Sequence, residues 1–296
     1  MARIGFIGLG NMGLPMAGNL VKAGHTVVGF DLLSANLERA GSRGVKSERS
    51  AEHAAAEAEV VLTMLPAGKQ VLEVYQSGVL AAARPGTLFI DSSTIDVASA
   101  RTAHRLATEA GMHAVDAPVS GGVGGAEAAS LTFMAGGTAT AFAQARPVLE
   151  SMGRRVIHCG DAGAGQAAKI CNNMMLGINM IGVSEAFTLA ERLGLSHQAL
   201  FAVASASSGQ SWALTSYCPV PGLVATAPAN NNYKPGFASA LMLKDLKLAQ
   251  EAAAAAGANT PLGAAAAQLF GLHNAWGEGG TDFSGIIHLI RGKGGA

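Results

Sequence analysis

The chain has 296 residues, 49% hydrophobic and 14% charged, with twenty basic residues balancing twenty acidic ones. That length suits about two domains with a substantial core. A net charge of zero without long runs of either sign argues against nucleic acid or an anionic membrane as the main partner, and 5% aromatics leaves little for base stacking.

Ile4–Gly8 reads as a short buried strand, Asn11–Ala23 as a helix and Thr26–Asp31 as the next strand. Gly8, Gly10 and Gly13 thus form G-x-G-x-x-G at a strand-to-helix turn, with Asp31 closing the second strand. Gly8 allows the tight turn, Gly10 lets the backbone approach a pyrophosphate, and Gly13 lets helix and strand pack closely. The pyrophosphate would rest on the helix N-terminus, and Asp31 would bind a ribose 2′-hydroxyl and repel a 2′-phosphate. No arginine directly follows Asp31, which favours NAD over NADP. The apolar start superficially mimics a signal peptide, but the strand and its glycine turn explain it better, and cytoplasm is the expected location.

Strands follow at Glu59–Leu65, Thr87–Asp91, Met112–Asp116, Leu131–Ala135 and Val156–His158. Helices are expected from Gln70, over Ile95–Ala110 and over Ala141–Met152. Strand and helix taking turns predicts an α/β fold with a largely parallel, doubly wound sheet and ligands at the carboxyl ends of its strands. Leu65-Pro66 and Ser92-Ser93-Thr94 lie at such ends. The stretch DAPVSGGVGG, Asp116–Gly125, offers small residues and successive amides for an anion nest, with Ser120 adding a hydroxyl.

After Gly163 the pattern turns helical, at Gln166–Leu193, Gln198–Ser205, Ser239–Ala256, Leu262–Trp276 and Phe283–Ile290. The expected domains are therefore 1–162 and 163–296. The first of these helices is apolar on nearly every side and reads as buried all round, yet it carries Lys169, with Asn173 one turn further on the same face. An ammonium taken from water must be paired, solvated in a pocket or partly neutralised. Between Ser207 and Phe237 lies a long irregular segment whose Trp212 and Tyr217 suit a pocket wall. Lys244 and Asp245 open another helix, where a solvated charged turn is the plain alternative. Cys159, Cys171 and Cys218 read as reduced, buried thiols, and no His/Asp/Glu cluster suggests a metal.

The stretches FIGLGNMGLPMAGNL, DAPVSGG, GAGQAAKICNNM and TDFSGII resemble the β-hydroxyacid dehydrogenase family over essentially the whole chain, most closely its 3-hydroxyisobutyrate branch. The resemblance implies a Rossmann-like NAD-binding domain joined by a long helix to an all-helical domain, and homo-oligomers, usually dimers or tetramers. It implies Lys169 as the catalytic residue with Asn173 beside it, and Ser120, Gly121 and Gly122 on the substrate carboxylate. The loop Gly8, Leu9, Gly10, Asn11, Met12 and Gly13, with Asp31, Leu65, Pro66, Gln70, Thr94 and Lys244, would hold NAD. Trp212 and Tyr217 would shape the pocket around the substrate's methyl group, with Asp245 near the substrate. Gln70 stands where the family often has asparagine.

The implied reaction is NAD-dependent oxidation of 3-hydroxyisobutyrate to methylmalonate semialdehyde, a step in valine breakdown. L-serine, D-glycerate (with tartronate semialdehyde as its oxidised partner) and 3-hydroxypropionate are the rival substrates. A non-catalytic NAD-binding module is the rival class, against which the intact Lys169 argues. The 6-phosphogluconate dehydrogenases resemble the N-terminal half but are much longer.

Overall fold

In the computed structural model, which describes residues 1–292, nine strands form one sheet among the described residues. Two compact units emerge, Met1–Lys169 and the remainder from Ile170, whereas the expected division lay at 162/163. The far end of the second expected domain, 293–296, lies outside the described residues.

In the first unit, strands β1 (Arg3–Ile7), β2 (Thr26–Phe30), β3 (Lys46–Ser47), β4 (Val60–Thr63), β5 (Leu88–Asp91) and β6 (His113–Asp116) lie parallel in the order 3-2-1-4-5-6. Their pleat sends alternate side chains to opposite faces. Ile4, Phe6, Leu62 and Ile90 enter one core and Ile7, Val61 and Phe89 the other. Each such side chain contributes about 1.5–3 kcal/mol when fully buried. Helices α1 (Gly13–Lys22), α2 (Ser34–Gly41), α3 (Ala51–Ala56), α4 (Gly68–Val74), α5 (Leu80–Ala82) and α6 (Val97–Glu109) join these strands. A π-helical turn, Tyr75–Val79, links α4 to α5, with a kink at Gly78, whose φ is 125°.

The order then departs from the expected alternation. Val119–Ser120 (β7) pairs antiparallel with β8 (Leu131–Gly136), and Gly122–Glu127 forms the short helix α7 within the stretch expected as an anion nest. After α8 (Ala139–Glu150), β9 (Gly153–Gly160) pairs with β8 as the outer strand and is longer than the Val156–His158 expected. Arg154 and Arg155 are exposed on it.

The long helix α9 spans Ala164–Arg192, and the boundary between the units falls inside it. It is not buried all round. Gln166, Lys169, Asn173, Gly177, Met180, Ser184 and Phe187 form a buried stripe at three- and four-residue spacing, while Met175 is 57% and Leu189 60% exposed on other faces. Gly194, at φ 74°, ends the helix, and the Leu195 N–H returns to the Ala190 carbonyl at 2.9 Å.

In the second unit follow α10 (His197–Ser205), α11 (Trp212–Thr215), α12 (Ser239–Ala256), α13 (Pro261–Ala275) and α14 (Ile286–Arg291). The expected helix from Phe283 opens as a 3-10 turn, Phe283–Gly285. The core joins Met180, Met242, Leu246, Phe270, Phe283 and Ile286. Gly177 is the point where α12 comes close, since a Cβ there would meet Leu246 and the Met242 sulfur at 3.2–3.3 Å. Of the three cysteines only Cys218 is buried; Cys159 is intermediate and Cys171 exposed.

Candidate active site

In an open α/β sheet a dinucleotide binds where the strand order reverses, here between β1 and β4. The glycine turn sits there. Gly8 has φ 95°, and a Cβ on it would lie 2.3 Å from the Met64 carbonyl oxygen after β4. A Cβ on Gly13 would lie 1.9 Å from the Gly8 oxygen. Around Gly10 nothing lies within 4 Å. The first and third glycines are therefore demanded by the chain itself, while the second leaves room for a guest. This cradle fits a pyrophosphate.

The loop's other residues agree. The Leu14 N–H donates to the Gly10 carbonyl at 2.9 Å, so helical turns begin beside Asn11 and Met12. Asp31 accepts from the Leu9 N–H at 2.7 Å and the Leu33 N–H at 2.9 Å. An ionised carboxylate has about four acceptor directions, so two stay available for ribose hydroxyls. Leu65 donates its N–H to the Ser93 hydroxyl at 2.8 Å, and Pro66 beside it is exposed. Gln70 stands in the first turn of α4 with its buried Oε1 lacking a hydrogen-bond partner among the described residues, an acceptor suited to a ligand donor. Thr94 lies half-buried after β5.

Lys169 is 6% exposed on α9. The start of that helix is held by buried groups that the sequence did not single out. Asp116, at the end of β6, accepts from the Gly163 N–H at 2.8 Å and the Gln166 N–H at 2.9 Å. His104 Nε2 stands 2.9 Å from the same carboxylate. Asp116 appeared in the sequence only as the first letter of DAPVSGG; a carboxylate ending a strand ahead of a helix was the available signal.

Beside it Asp91, also buried, accepts from the hydroxyls of Thr63 at 2.7 Å and Ser93 at 2.6 Å. Burial pushes its carboxyl up to about 6, against these hydrogen bonds and with help from the Asp116 charge. The folded state therefore binds this proton more tightly than the unfolded chain, whose carboxyl keeps its ordinary value near 3.8. The stability it contributes is full below that value and lost as pH rises through about 6, an effect of about 3 kcal/mol. Asp91→Asn is expected to remove this slope between pH 4 and 6, read as the difference from wild type in urea midpoints. Parallel midpoint curves would refute it.

The nest after β7 is present in altered form. Gly121 and Gly122 take φ 133° and 61° and lead into α7, with Ser120 half-buried at the strand end.

The remaining expected residues lie in the second unit. Asn173, 2% exposed, donates to Asp245 Oδ2 at 2.5 Å and accepts from the Asn172 amide at 3.0 Å. Asp245 is 3% exposed, with Lys244 Nζ 3.6 Å from its Oδ1. The solvated charged turn is thus corrected to a buried carboxylate that orients the asparagine. Trp212 stacks on Tyr217 at 4.9 Å, and Tyr217 on Phe283 at 5.3 Å. The Tyr217 hydroxyl donates to Asp282 at 2.8 Å, and the Gly236 and Phe237 amides donate to the same oxygen. Asp282, within TDFSGII, was another hub the sequence left unassigned. Trp212 itself is 53% exposed.

Comparison with known proteins gives two family matches that meet before α9. Residues 3–160 match the family described as the NAD binding domain of 6-phosphogluconate dehydrogenase. Residues 163–290 match the one described as NAD-binding of NADP-dependent 3-hydroxyisobutyrate dehydrogenase. A probable 3-hydroxyisobutyrate dehydrogenase of Mycobacterium tuberculosis is 56% identical over 293 residues, 99% of each chain. A 3-hydroxyisobutyrate dehydrogenase of Pseudomonas aeruginosa is 51% identical, covering 99% of this chain and 100% of that one. An NAD-dependent L-serine dehydrogenase of the same organism is 47% identical over 98% of each. The solved structure of Mycobacterium tuberculosis 3-hydroxyisobutyrate dehydrogenase with L-serine superposes with a TM-score of 0.95 at 56% identity, covering 98% of this chain and 99% of that one.

Proposed function

The chain belongs to the 3-hydroxyisobutyrate dehydrogenase family, and from that premise we propose that it oxidises 3-hydroxyisobutyrate to methylmalonate semialdehyde in valine breakdown, using NAD. The observation that carries this reading is Lys169, a nearly inaccessible amine in the same unit as a glycine cradle fitted to a dinucleotide. Bound NAD supplies the hydride acceptor. Gly8 to Gly13, Asp31, Leu65, Pro66, Gln70 and Thr94 would hold it, with Lys244 from the second unit, and residues 1–162 would serve as its domain. Asp31 favours NAD over NADP, because a 2′-phosphate would face its carboxylate.

Lys169 takes the hydroxyl proton as the carbon is oxidised and returns it in reduction. In its neutral form the amine accepts that proton, which suits a base. Asn173, its amide fixed by Asp245, keeps amine and hydroxyl in line. Ser120, Gly121 and Gly122 hold the substrate carboxylate, and Trp212 and Tyr217 wall the methyl group. The helices from 163 onward form the substrate and oligomerisation domain.

L-serine is the second reading, favoured by the identity to an L-serine dehydrogenase. It carries an ammonium where 3-hydroxyisobutyrate carries a methyl; an aromatic wall gives the methyl apolar contact, whereas the ammonium must recover its lost hydration from ring faces or a carboxylate such as Asp245. A panel of 3-hydroxyisobutyrate, L-serine, D-glycerate and 3-hydroxypropionate, followed at 340 nm (the usual NADH absorbance) with NAD and NADP, decides the matter. A kcat/KM for L-serine above that for 3-hydroxyisobutyrate would overturn the substrate assignment.

A homo-oligomer, dimer or tetramer, completes the reading. Met175, Leu189 and, just beyond the helix, Leu193 at 74% exposure give the second unit an apolar surface that a monomer leaves in water. Leu189→Glu is expected to lower the sedimentation mass; an unchanged mass would exclude this surface. Cytoplasm is the proposed location, and among the described residues no helix is long and apolar enough to cross a membrane.

A further inference from the structure

We propose that Asp116 and Gln166 form a clamp that sets the position of Lys169, so that both are positioning residues for the reaction rather than fillers of the core. The first N–H groups of a helix have no partners within it and must find them elsewhere. In α9 the Asp116 carboxylate takes two of them, one oxygen on Gly163 and the other on Gln166. The fit is close. A Cβ on Gly136 would lie 2.5 Å from Asp116 Oδ1, and one on Gly165 would lie 2.2 Å from the Met134 oxygen and 2.8 Å from Asp116 Oδ2. The helix end is therefore wedged against the ends of β6 and β8, with no slack for sliding.

Gln166 supplies the second jaw. Its side chain is 0% exposed; Oε1 accepts from the Ile95 N–H at 3.1 Å and Nε2 donates to the Ser93 carbonyl at 2.7 Å. The two bonds grip the loop that holds Thr94. Ser93 continues the chain of contacts, its hydroxyl donating to Asp91 at 2.6 Å and accepting the Leu65 N–H at 2.8 Å. Lys169 lies three residues after Gln166, on the same side of the helix. One connected set of bonds thus runs from the loops after β4 and β5 to the turn that carries the amine. A displaced amine costs rate steeply, about 10²-fold for 1 Å.

The inference rests on the reading that Lys169 moves the proton. Gln166→Met keeps length and removes both bonds, Gln166→Glu keeps only the acceptor for Ile95, and Asp116→Asn replaces one acceptor of the helix amides. Steady-state kinetics with 3-hydroxyisobutyrate, protiated and deuterated at the reacting carbon, would be combined with amide hydrogen exchange over residues 163–169 in ligand-free protein. For Gln166→Met, kcat is expected to fall about 10–100-fold with KM within about 3-fold. Its isotope effect on kcat is expected to rise, as chemistry becomes rate-limiting, and first-turn amides should exchange faster. Gln166→Glu should fall between it and wild type.

Folded variants with unchanged kcat, isotope effect and exchange would overturn the clamp. So would a loss of thermal stability alone, which is what a purely structural glutamine predicts. If Gln166→Met does not fold, Gln166→Glu and Asp116→Asn carry the same readouts. Wild type inactive on every acid of the panel would defeat the proposed function instead, while the exchange measurement would still report on the clamp.

Discussion

Lys169→Ala is expected to lower kcat by about 10²–10⁴-fold, the range for removal of a positioned acid–base group. NAD affinity, measured by calorimetry, should change little, since the glycine cradle and Asp31 are untouched. Lys169→Arg sharpens the test. A guanidinium keeps the positive charge but cannot give up its proton at working pH, so it cannot accept one from the alcohol. Both variants should therefore be nearly inactive. Activity retained in the arginine variant would mean that the site needs a fixed charge and not a base. Full activity in the alanine variant would remove Lys169 from the chemistry altogether.

The second large effect separates two glycines of one motif. In Gly13→Ala the new Cβ would lie 1.9 Å from the Gly8 carbonyl oxygen, a backbone atom that no rotamer change can move aside. The start of α1 must shift, at a cost of about 1–3 kcal/mol or more. Thermal stability and NAD binding should fall together. Gly10→Ala meets nothing within 4 Å, and its φ is not positive. That variant should fold with near-native stability and lose NAD affinity by about 100-fold or more, about 2.7 kcal/mol at 1.36 kcal/mol per tenfold, because the methyl fills the space where the pyrophosphate approaches. A Gly10→Ala protein that binds NAD normally would show that the dinucleotide lies elsewhere.

The glycine turn was legible because its geometry is local. Gly8, Gly10, Gly13 and Asp31 belong to one strand–helix–strand unit, and their spacing alone carries the geometry. Strand direction beyond β6 was not legible, since antiparallel pairing of β7 and β8 is decided by ladder partners such as Val119 with Phe133. The short α2, α3 and α7 offer too few turns for a periodicity to stand out. Hydrophobic pattern alone placed α9 correctly in sequence, yet it could not distinguish a face turned to the core from one left exposed. The hubs Asp91, Asp116, Gln166 and Asp282 were invisible in their roles because each also has a partner far off along the chain. Gln166, for example, meets Ser93 across 73 residues.

The outer strand β9 leaves one backbone ladder of the sheet without a neighbour among the described residues, and such a ladder can template the addition of a foreign strand. Arg154 and Arg155 stand at its beginning and are exposed. Two guanidinium groups brought against a matching pair would repel, so this rim resists edge-to-edge aggregation even though Ile157 beside them is half exposed.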